Sequence, residues 1–191
     1  MTIVYDIQDF SKLAARQMFL RAVFGEDWAE KGFFVDDGAW GTRKKLEDLD
    51  DTRGCYWCVG AIPWGKARKN ENVESVRALV LDDVGTKIDT ASAMSLDIGM
   101  PTAIVGTSEA NFQYVYRFGN PPAGYAAFNR FRRGLLGELQ GASDGKDAVH
   151  LFRLPWGFNL KPGRNGFAVN GRVGLTNNPA DVPHAMKAVR S

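Results

Sequence analysis

The chain has 191 residues, of which 45% are hydrophobic and 24% are charged, and its formal net charge is +2. These values exclude a disordered chain and a fibrous protein, and the length fits a single domain, residues 1–191, with one core. The net charge is too small to indicate a nucleic-acid partner by itself, so that prediction depends on local clusters of basic residues.

The first ten residues do not form a signal peptide, because they contain Asp6 and Asp9 and lack a long apolar run. The longest apolar stretches are far shorter than the ~20 residues that a membrane helix needs. We therefore expect a cytoplasmic protein with no membrane association and with reduced thiols. Cys55 and Cys58 have too few possible partners for a structural zinc site, and we expect them to be small buried hydrophobic residues.

From Cys55 to Arg153 the predicted elements follow the order β-β-α-β-β-α-β, which indicates an α+β fold with an RRM-like mixed sheet packed with helices. Helices are predicted over Ile7–Phe24, over Asp89–Ile98, and after Pro122 as far as Leu139. Strands are predicted over Gly32–Val35, Cys55–Ile62, Val76–Leu81, Thr102–Val105, Asn111–Phe118, Val149–Arg153 and Gly166–Val173. The polar segment Pro63–Ser75 is predicted to be an exposed loop.

Two adjacent carboxylates, Asp82 and Asp83, follow the apolar run Val76–Leu81, which has the character of a central strand. Carboxylates concentrated at a strand end favour a divalent cation, although such pairs also begin ordinary loops. In an ideal strand the two side chains would point to opposite faces. Either the strand bends here, or one of the two aspartates acts indirectly.

Three ordered blocks carry a resemblance to a known family: Leu79–Asp83, Thr107–Gln113 and Asp147–Asn159. Together they resemble the RepB-type plasmid and phage primases of the archaeo-eukaryotic primase (primase-polymerase) superfamily. The resemblance extends from about Cys55 to Arg164, and it implies the catalytic core of that superfamily.

The resemblance implies that Asp82, Asp83 and Asp147 bind catalytic Mg²⁺ or Mn²⁺, with Asp144 as a competitor for the third position. Where the superfamily usually has a Ser-x-His motif, this chain has Asn111-Phe112-Gln113, so Gln113 would contact the nucleotide by hydrogen bonds alone unless it simply faces solvent. The other residues predicted around the nucleotide are Ser108, His150, Arg153 and Lys161. Arg153 and Lys161 are alternatively ordinary loop cations, and His150 is alternatively a core histidine.

The implied function is that of a DNA primase, a nucleotidyltransferase that makes short primers from nucleoside triphosphates on single-stranded DNA. Phosphate contacts are predicted for Arg130, Arg132, Arg133 and the Lys66–Lys69 loop, and base stacking for Trp64. The short sequence after Arg164 leaves open that the chain is a fragment of a longer plasmid or phage replication protein, with a helicase in cis or in trans.

Two other functions compete with this one. A Rep-type nicking endonuclease needs two histidines close together in sequence to bind its metal, whereas His150 and His184 are far apart. A catalytically inactive module that binds origin or single-stranded DNA would keep the fold without the metal chemistry. Metal-dependent dinucleotide synthesis separates this module from a primase.

Overall fold

The computed structural model describes residues 3–38, 42–94, 96, 98–122, 124–138, 147–164 and 166–175. The helices are α1 (Lys12–Phe24), α2 (Thr90–Met94) and α3 (Gly124–Glu138), with single 3₁₀ turns at Ile7–Asp9, Trp28–Glu30, Leu46–Asp48 and Asn70–Asn72. The strands are β1 (Ile3–Asp6), β2 (Val35–Asp36), β3 (Tyr56–Trp57), β4 (Gly60–Ala61), β5 (Ser75–Val76), β6 (Ala78–Val84), β7 (Ala103–Ser108), β8 (Asn111–Arg117), β9 (Phe152–Arg153), β10 (Phe158–Asn159), β11 (Phe167–Ala168) and β12 (Asn170–Leu175). Within these residues, no helix is long and apolar enough to cross a membrane.

The main sheet has the strand order β1-β12-β7-β8-β6, and all of its pairs are antiparallel. Cross-strand partners share a face, so Val105, Gln113 and Gly171 lie on one face, while Tyr114 and Tyr116 lie on the other. The hydroxyl of Tyr116 donates to the carbonyl of Ala93 in α2 at 3.5 Å, so α2 covers part of the tyrosine face.

A small sheet, β2-β3-β9, lies on the Gln113 side, because the backbone N–H of Arg153 in β9 donates to the Gln113 side chain. The buried Trp57 of β3 joins this layer to α1, since the Phe19 ring lies 5.0 Å from the Trp57 ring. Cys55 and Cys58 are buried free thiols beside Trp57, as predicted. Part of the core therefore lies between the main sheet and the small sheet, and part lies on the opposite face around Tyr116 and α2.

Helix α1 begins at Lys12, later than predicted. Asp6 caps the separate turn Ile7–Asp9, and the Ser11 hydroxyl accepts a hydrogen bond from the N–H of Ala14 at 3.4 Å. Helix α2 does begin after Asp89, whose carboxylate accepts from the N–H of Ser92 at 3.0 Å. The described part of α2 ends at Met94, short of the predicted Ile98, and the predicted end of the third helix, Leu139, lies outside the described residues.

Several strand predictions need correction. The predicted strands Val76–Leu81 and Gly166–Val173 each cover two strands of different sheets, β5 with β6 and β11 with β12. The predicted strand Cys55–Ile62 is divided between β3 and β4, which belong to different sheets, because the chain crosses from one sheet to the other at Cys58. The predicted central strand is β6, which lies at one edge of the main sheet although its apolar residues are buried. Strand β1 was not predicted.

Candidate active site

A β-bulge at the end of β6 positions the two adjacent aspartates. In the pairing with β8, Leu81 is opposite Tyr114 and Val84 is opposite Phe112, so Asp82 and Asp83 together face the single residue Gln113. Asp83 has a φ of 62°, in the left-handed region that residues other than glycine rarely adopt. An extra residue of this kind bends a strand and redirects its side chains.

The bulge brings both carboxylates to one face of β8. Oδ1 of Asp82 accepts hydrogen bonds from Nε2 of Gln113 at 3.1 Å and from the N–H of Asp83 at 3.0 Å. Oδ1 of Asp83 has a longer contact, 3.5 Å, with Nδ2 of Asn111. Asn111 and Gln113 are two positions apart on β8, so they share a face. The alternative in which the strand bends is therefore the one observed.

The turn after the bulge holds Asp83 in its unusual conformation. The carbonyl of Asp83 accepts from the N–H groups of Thr86, Lys87 and Ile88 at 3.2, 2.9 and 3.1 Å. Gly85 has a φ of 91°, and a Cβ placed on it would lie 2.3 Å from the carbonyl oxygen of Ala110. Glycine is required here because the turn packs directly on the β7–β8 hairpin.

A closed circuit of hydrogen bonds connects the two aspartates through four further strands. Oε1 of Gln113 accepts from the backbone N–H of Arg153 at 3.1 Å, and Nη2 of Arg153 donates to Oδ1 of Asn159 at 2.8 Å. Nδ2 of Asn159 donates to the carbonyl of Thr107 at 2.7 Å. The Thr107 hydroxyl accepts from Nδ2 of Asn111 at 2.9 Å, and the same amide contacts Asp83. We call this set the carboxylate circuit.

Arg153 belongs to this circuit and is not placed to bind triphosphate oxygens, contrary to the sequence prediction. Its side chain is buried, its Nη1 donates to the carbonyl of Phe158 at 3.1 Å, and its guanidinium lies 4.5 Å from the centroid of the Tyr56 ring. Burial lowers the pKa of Arg153 from its usual value, partly offset by Tyr56 and Asp82. The guanidinium instead fixes the 158–159 segment that precedes Lys161.

The other predicted nucleotide contacts differ in accessibility. Ser108, at the end of β7, is buried, and its hydroxyl has no hydrogen-bond partner among the described residues. Lys161 is exposed, and its backbone N–H donates to Oδ1 of Asn159 at 3.3 Å. His150 is half-buried, with its ring 5.0 Å from the Phe152 ring. Ser108 and Lys161 thus keep unused polar or charged groups near the circuit.

Asp147 does not join the two aspartates of the bulge. Its carboxylate accepts from the N–H of Val149 and from Nδ2 of Asn70, both at 3.2 Å. No three histidine, cysteine, aspartate or glutamate side chains in the described ranges lie close enough together to hold one metal ion. The predicted site of three carboxylates is therefore not formed there, because hydrogen bonds hold Asp147 against the 70–72 turn. Asp144 lies outside the described residues.

The two carboxylates of the bulge nevertheless suit a small divalent cation. No described residue donates a hydrogen bond to Oδ2 of Asp82, so this oxygen is available as a ligand. Oδ2 of Asp83 pairs with Nζ of Lys87 at 2.8 Å, and the Lys87 side chain is 60% exposed, so it can move aside. Mg²⁺ is commonly held by one or two carboxylates together with water and phosphate oxygens.

The residues predicted to contact DNA lie in two places: on helix α3 and in the loop that contains Trp64 and Lys66–Lys69. Arg130 and Arg133 are exposed on α3, whereas Arg132 is only 7% exposed and its Nη2 donates to Oδ1 of Asn129 at 2.6 Å. Arg132 is therefore removed from the predicted surface, because it lies on the buried side of the helix. Trp64, 53% exposed, packs over the Arg43 guanidinium at 4.7 Å.

Helix α3 and the Trp64 loop both adjoin the hairpin formed by β4 and β5. Helix α3 contacts β5, and β5 pairs with β4, which leads directly into the Trp64 loop. In this loop Lys66 and Lys69 are exposed, while Arg68 donates to the carbonyl of Val149. We refer to the exposed residues of α3 and of this loop, Arg130, Arg133, Trp64, Lys66 and Lys69, as the hairpin surface.

A solved structure shares this architecture: the AEP domain of the primase-polymerase (PrimPol) of cyanophage S-2L. The two superpose with a TM-score of 0.68 at 14% sequence identity, over 91% of this chain and 95% of that one. The chain therefore shares the fold of that AEP domain. This confirms the predicted α+β fold class. No family model and no curated protein matches the sequence. Membership of the RepB-type group stays a prediction.

Sequence reasoning missed Asn111, Thr107 and Asn159 as members of the site. Asn111 carried a usable signal, because it alternates with Gln113 on a strand that follows the aspartates. Thr107 and Asn159 belong to two of the blocks that carry the resemblance, but no local pattern indicated the hydrogen bond between them, since it joins residues that are 52 positions apart.

Proposed function

We propose that this chain is a primase-like nucleotidyltransferase that extends primers on single-stranded DNA, with its metal site at Asp82 and Asp83. The observation that carries the proposal is the bulge, which brings two adjacent carboxylates to one face in a fold shared with a primase-polymerase domain. Mg²⁺ or Mn²⁺ bound there would activate a primer 3′-hydroxyl and stabilise the leaving pyrophosphate.

The residues of the chain have separate tasks in this proposal. Asp82 and Asp83 supply the anionic oxygens, while Lys87 neutralises Asp83 in the absence of a cation. Lys161 offers an exposed positive charge to the triphosphate, whereas the Ser108 hydroxyl is buried and would need a local rearrangement to reach the nucleotide. His150 stays a prediction as a further nucleotide contact.

The hairpin surface is the proposed path of the template. Its arginines and lysines would contact phosphates, and the outer face of Trp64 would stack on an unpaired base. A setting in plasmid or phage replication, with a helicase in cis or in trans, belongs to the same proposal.

A second candidate is a module that binds single-stranded DNA without catalysis. The observation in its favour is that Asp147 lies apart from the two aspartates of the bulge, so that no group of three carboxylates forms in the described part of the chain. Such a module would retain the hairpin surface and need no metal.

Primer synthesis on random single-stranded templates separates the two candidates. The assay uses ribonucleotides and deoxynucleotides separately, each with Mg²⁺ and with Mn²⁺, beside Asp82→Asn as the matched control. We expect metal-dependent products from the wild type and none from the variant. Template binding without any product under all four conditions would support the non-catalytic module.

A further inference from the structure

Gln113 has both ends of its carboxamide engaged inside the protein. It is only 4% exposed, its Nε2 donates to Asp82 at 3.1 Å, and its Oε1 accepts from the N–H of Arg153 at 3.1 Å. A buried amide with one donor and one acceptor committed in this way has little left to offer a nucleotide.

The orientation of the Gln113 amide is fixed by the backbone. The N–H of Arg153 can only donate, so the carboxamide oxygen must face Arg153 and the NH₂ group must face Asp82. Strand β9 holds that N–H in place through its pairing with β3, in which Arg153 is opposite Tyr56. The donor directed at Asp82 is therefore preorganised by the fold.

Asn111 has the same arrangement two residues earlier on β8. It is 7% exposed, its Oδ1 accepts from the Thr86 hydroxyl at 2.7 Å, and its Nδ2 faces the Thr107 hydroxyl and Asp83. Each aspartate of the bulge thus has one buried amide that contacts its Oδ1. The Oδ2 of Asp82 receives no hydrogen bond from a described residue, and the Oδ2 of Asp83 is paired with the exposed Lys87, which a cation would displace.

We infer that Gln113 and Asn111 are positioning residues that orient the Asp82 and Asp83 carboxylates for a divalent cation, and that Gln113 does not contact the nucleotide. This inference rests on the proposed metal site. Hydrogen bonds to ligating carboxylates fix their orientation, and loss of such a partner typically weakens metal affinity by about 10- to 100-fold.

The test is titration of the free protein with Mn²⁺ alone, without nucleotide or DNA, followed by calorimetry and by the electron paramagnetic resonance of unbound Mn²⁺. Gln113→Met keeps the length of the side chain and removes both hydrogen bonds, and we expect it to weaken Mn²⁺ binding by about 10- to 100-fold. Gln113→His retains one donor and one acceptor in the neutral ring, so we expect it to recover much of the affinity. Tyr116→Phe, which removes a buried hydroxyl on the opposite face of β8, should bind Mn²⁺ as the wild type does.

Primer kinetics supply the second readout. A positioning role predicts that Gln113→Met raises the Mn²⁺ concentration needed for half-maximal rate and leaves the KM for all four nucleotides little changed once Mn²⁺ saturates. Wild-type Mn²⁺ affinity with a raised nucleotide KM would overturn the inference and restore the nucleotide contact. If Gln113→Met does not fold, as judged by circular dichroism, Asn111→Ala carries the same comparison, because it removes the amide that contacts Asp83 and should also weaken Mn²⁺ binding.

Asp82→Asn, titrated in parallel, separates this inference from the proposed function. If Asp82→Asn binds Mn²⁺ as tightly as the wild type, the metal site itself is wrong. If Asp82→Asn loses Mn²⁺ while Gln113→Met and Asn111→Ala both keep it, only the positioning role is wrong.

Discussion

Asp82 and Asp83 are held close together although like charges repel, and only their surroundings make this tolerable. Asp82 receives two hydrogen bonds on one oxygen, and Asp83 receives the charge of Lys87. Neutralising one carboxylate relieves the repulsion, so the fold should tolerate asparagine at either position better than a metal-binding function does.

We therefore predict that Asp82→Asn and Asp83→Asn bind Mn²⁺ more than about tenfold more weakly than the wild type and melt at the same temperature or higher in EDTA. Thermal melting with and without Mn²⁺, beside the primer assay, checks both effects. Asp147→Asn should keep the Mn²⁺ affinity of the free protein, because Asp147 is held by Asn70 and Val149. Loss of Mn²⁺ binding in Asp147→Asn would show that Asp147 is a ligand after all.

The two buried thiols make the free energy of unfolding depend on pH. Burial raises the pKa of Cys55 from its ordinary 9.0 to about 11 and that of Cys58 to about 12. Above pH 9 the unfolded chain loses these protons while the folded chain keeps them, so the free energy of unfolding should fall from about pH 9 towards pH 11. Urea unfolding at pH 8, 9.5 and 10.5 measures this slope, and Cys58→Ala should reduce it. An identical slope in that variant would mean that Cys58 does not contribute.

At the scale of elements, the turn after β6 packs directly against the β7–β8 hairpin. The φ of Gly85 is 91°, and the carbonyl of Ala110 occupies the place where a Cβ would stand. Any side chain at this position must push the hairpin away from the bulge, and the hairpin carries Asn111. The geometry of the two carboxylates therefore depends on a glycine that touches neither of them.

Gly85→Ala should lower the free energy of unfolding by more than about 2 kcal/mol, because it combines backbone strain with a direct clash. It should also weaken Mn²⁺ binding. Gly65→Ala is the matched control, since Gly65 has a φ of 80° but no atom within 4 Å of the position that a Cβ would take. We expect strain alone there, about 1 kcal/mol, and unchanged Mn²⁺ affinity. Equal costs at both positions in urea unfolding would contradict the proposed packing.

At the scale of the whole molecule, the hairpin surface combines two kinds of contact that respond differently to salt. Arg130 and Arg133 can bind phosphates and release counterions, whereas Trp64 can stack on a base with no change in ion release. The salt dependence of binding therefore distinguishes them.

We predict that Arg133→Glu weakens binding to single-stranded DNA and lowers the slope of log affinity against log salt by about one. Trp64→Ala should weaken binding by about 1–3 kcal/mol and leave the slope unchanged. Arg21→Glu on α1 and Met100→Ala, two exposed positions outside the hairpin surface, serve as charge and apolar controls. Fluorescence anisotropy across a salt series gives both quantities. If the two control variants lose as much affinity for single-stranded DNA, the hairpin surface is not a specific binding site.

Predictions from the sequence were most reliable where the structure depends on residues that are close together in the chain. The strand formed by the apolar run before Asp82, the alternation of side chains around Gln113 and the burial of the two thiols are local patterns, and each was predicted correctly. The central position predicted for β6 was wrong, because the order of strands in a sheet depends on pairing between distant segments. Arg132 was placed on the wrong side of α3 because three arginines within four positions cannot all face water on one helix.

The sequence by itself determined which chemical groups this protein has and which strand or helix carries each of them, because side-chain periodicity and capping act over a few residues. Only the tertiary structure decided what those groups do. The bulge, the burial of Arg153, the amide donors directed at the two aspartates and the separate position of Asp147 all arise from partners far apart in the chain, such as Asp82 with Gln113 at 31 positions and Asn70 with Asp147 at 77. Contacts across such distances depend on how the layers pack, and packing is a property of the whole core.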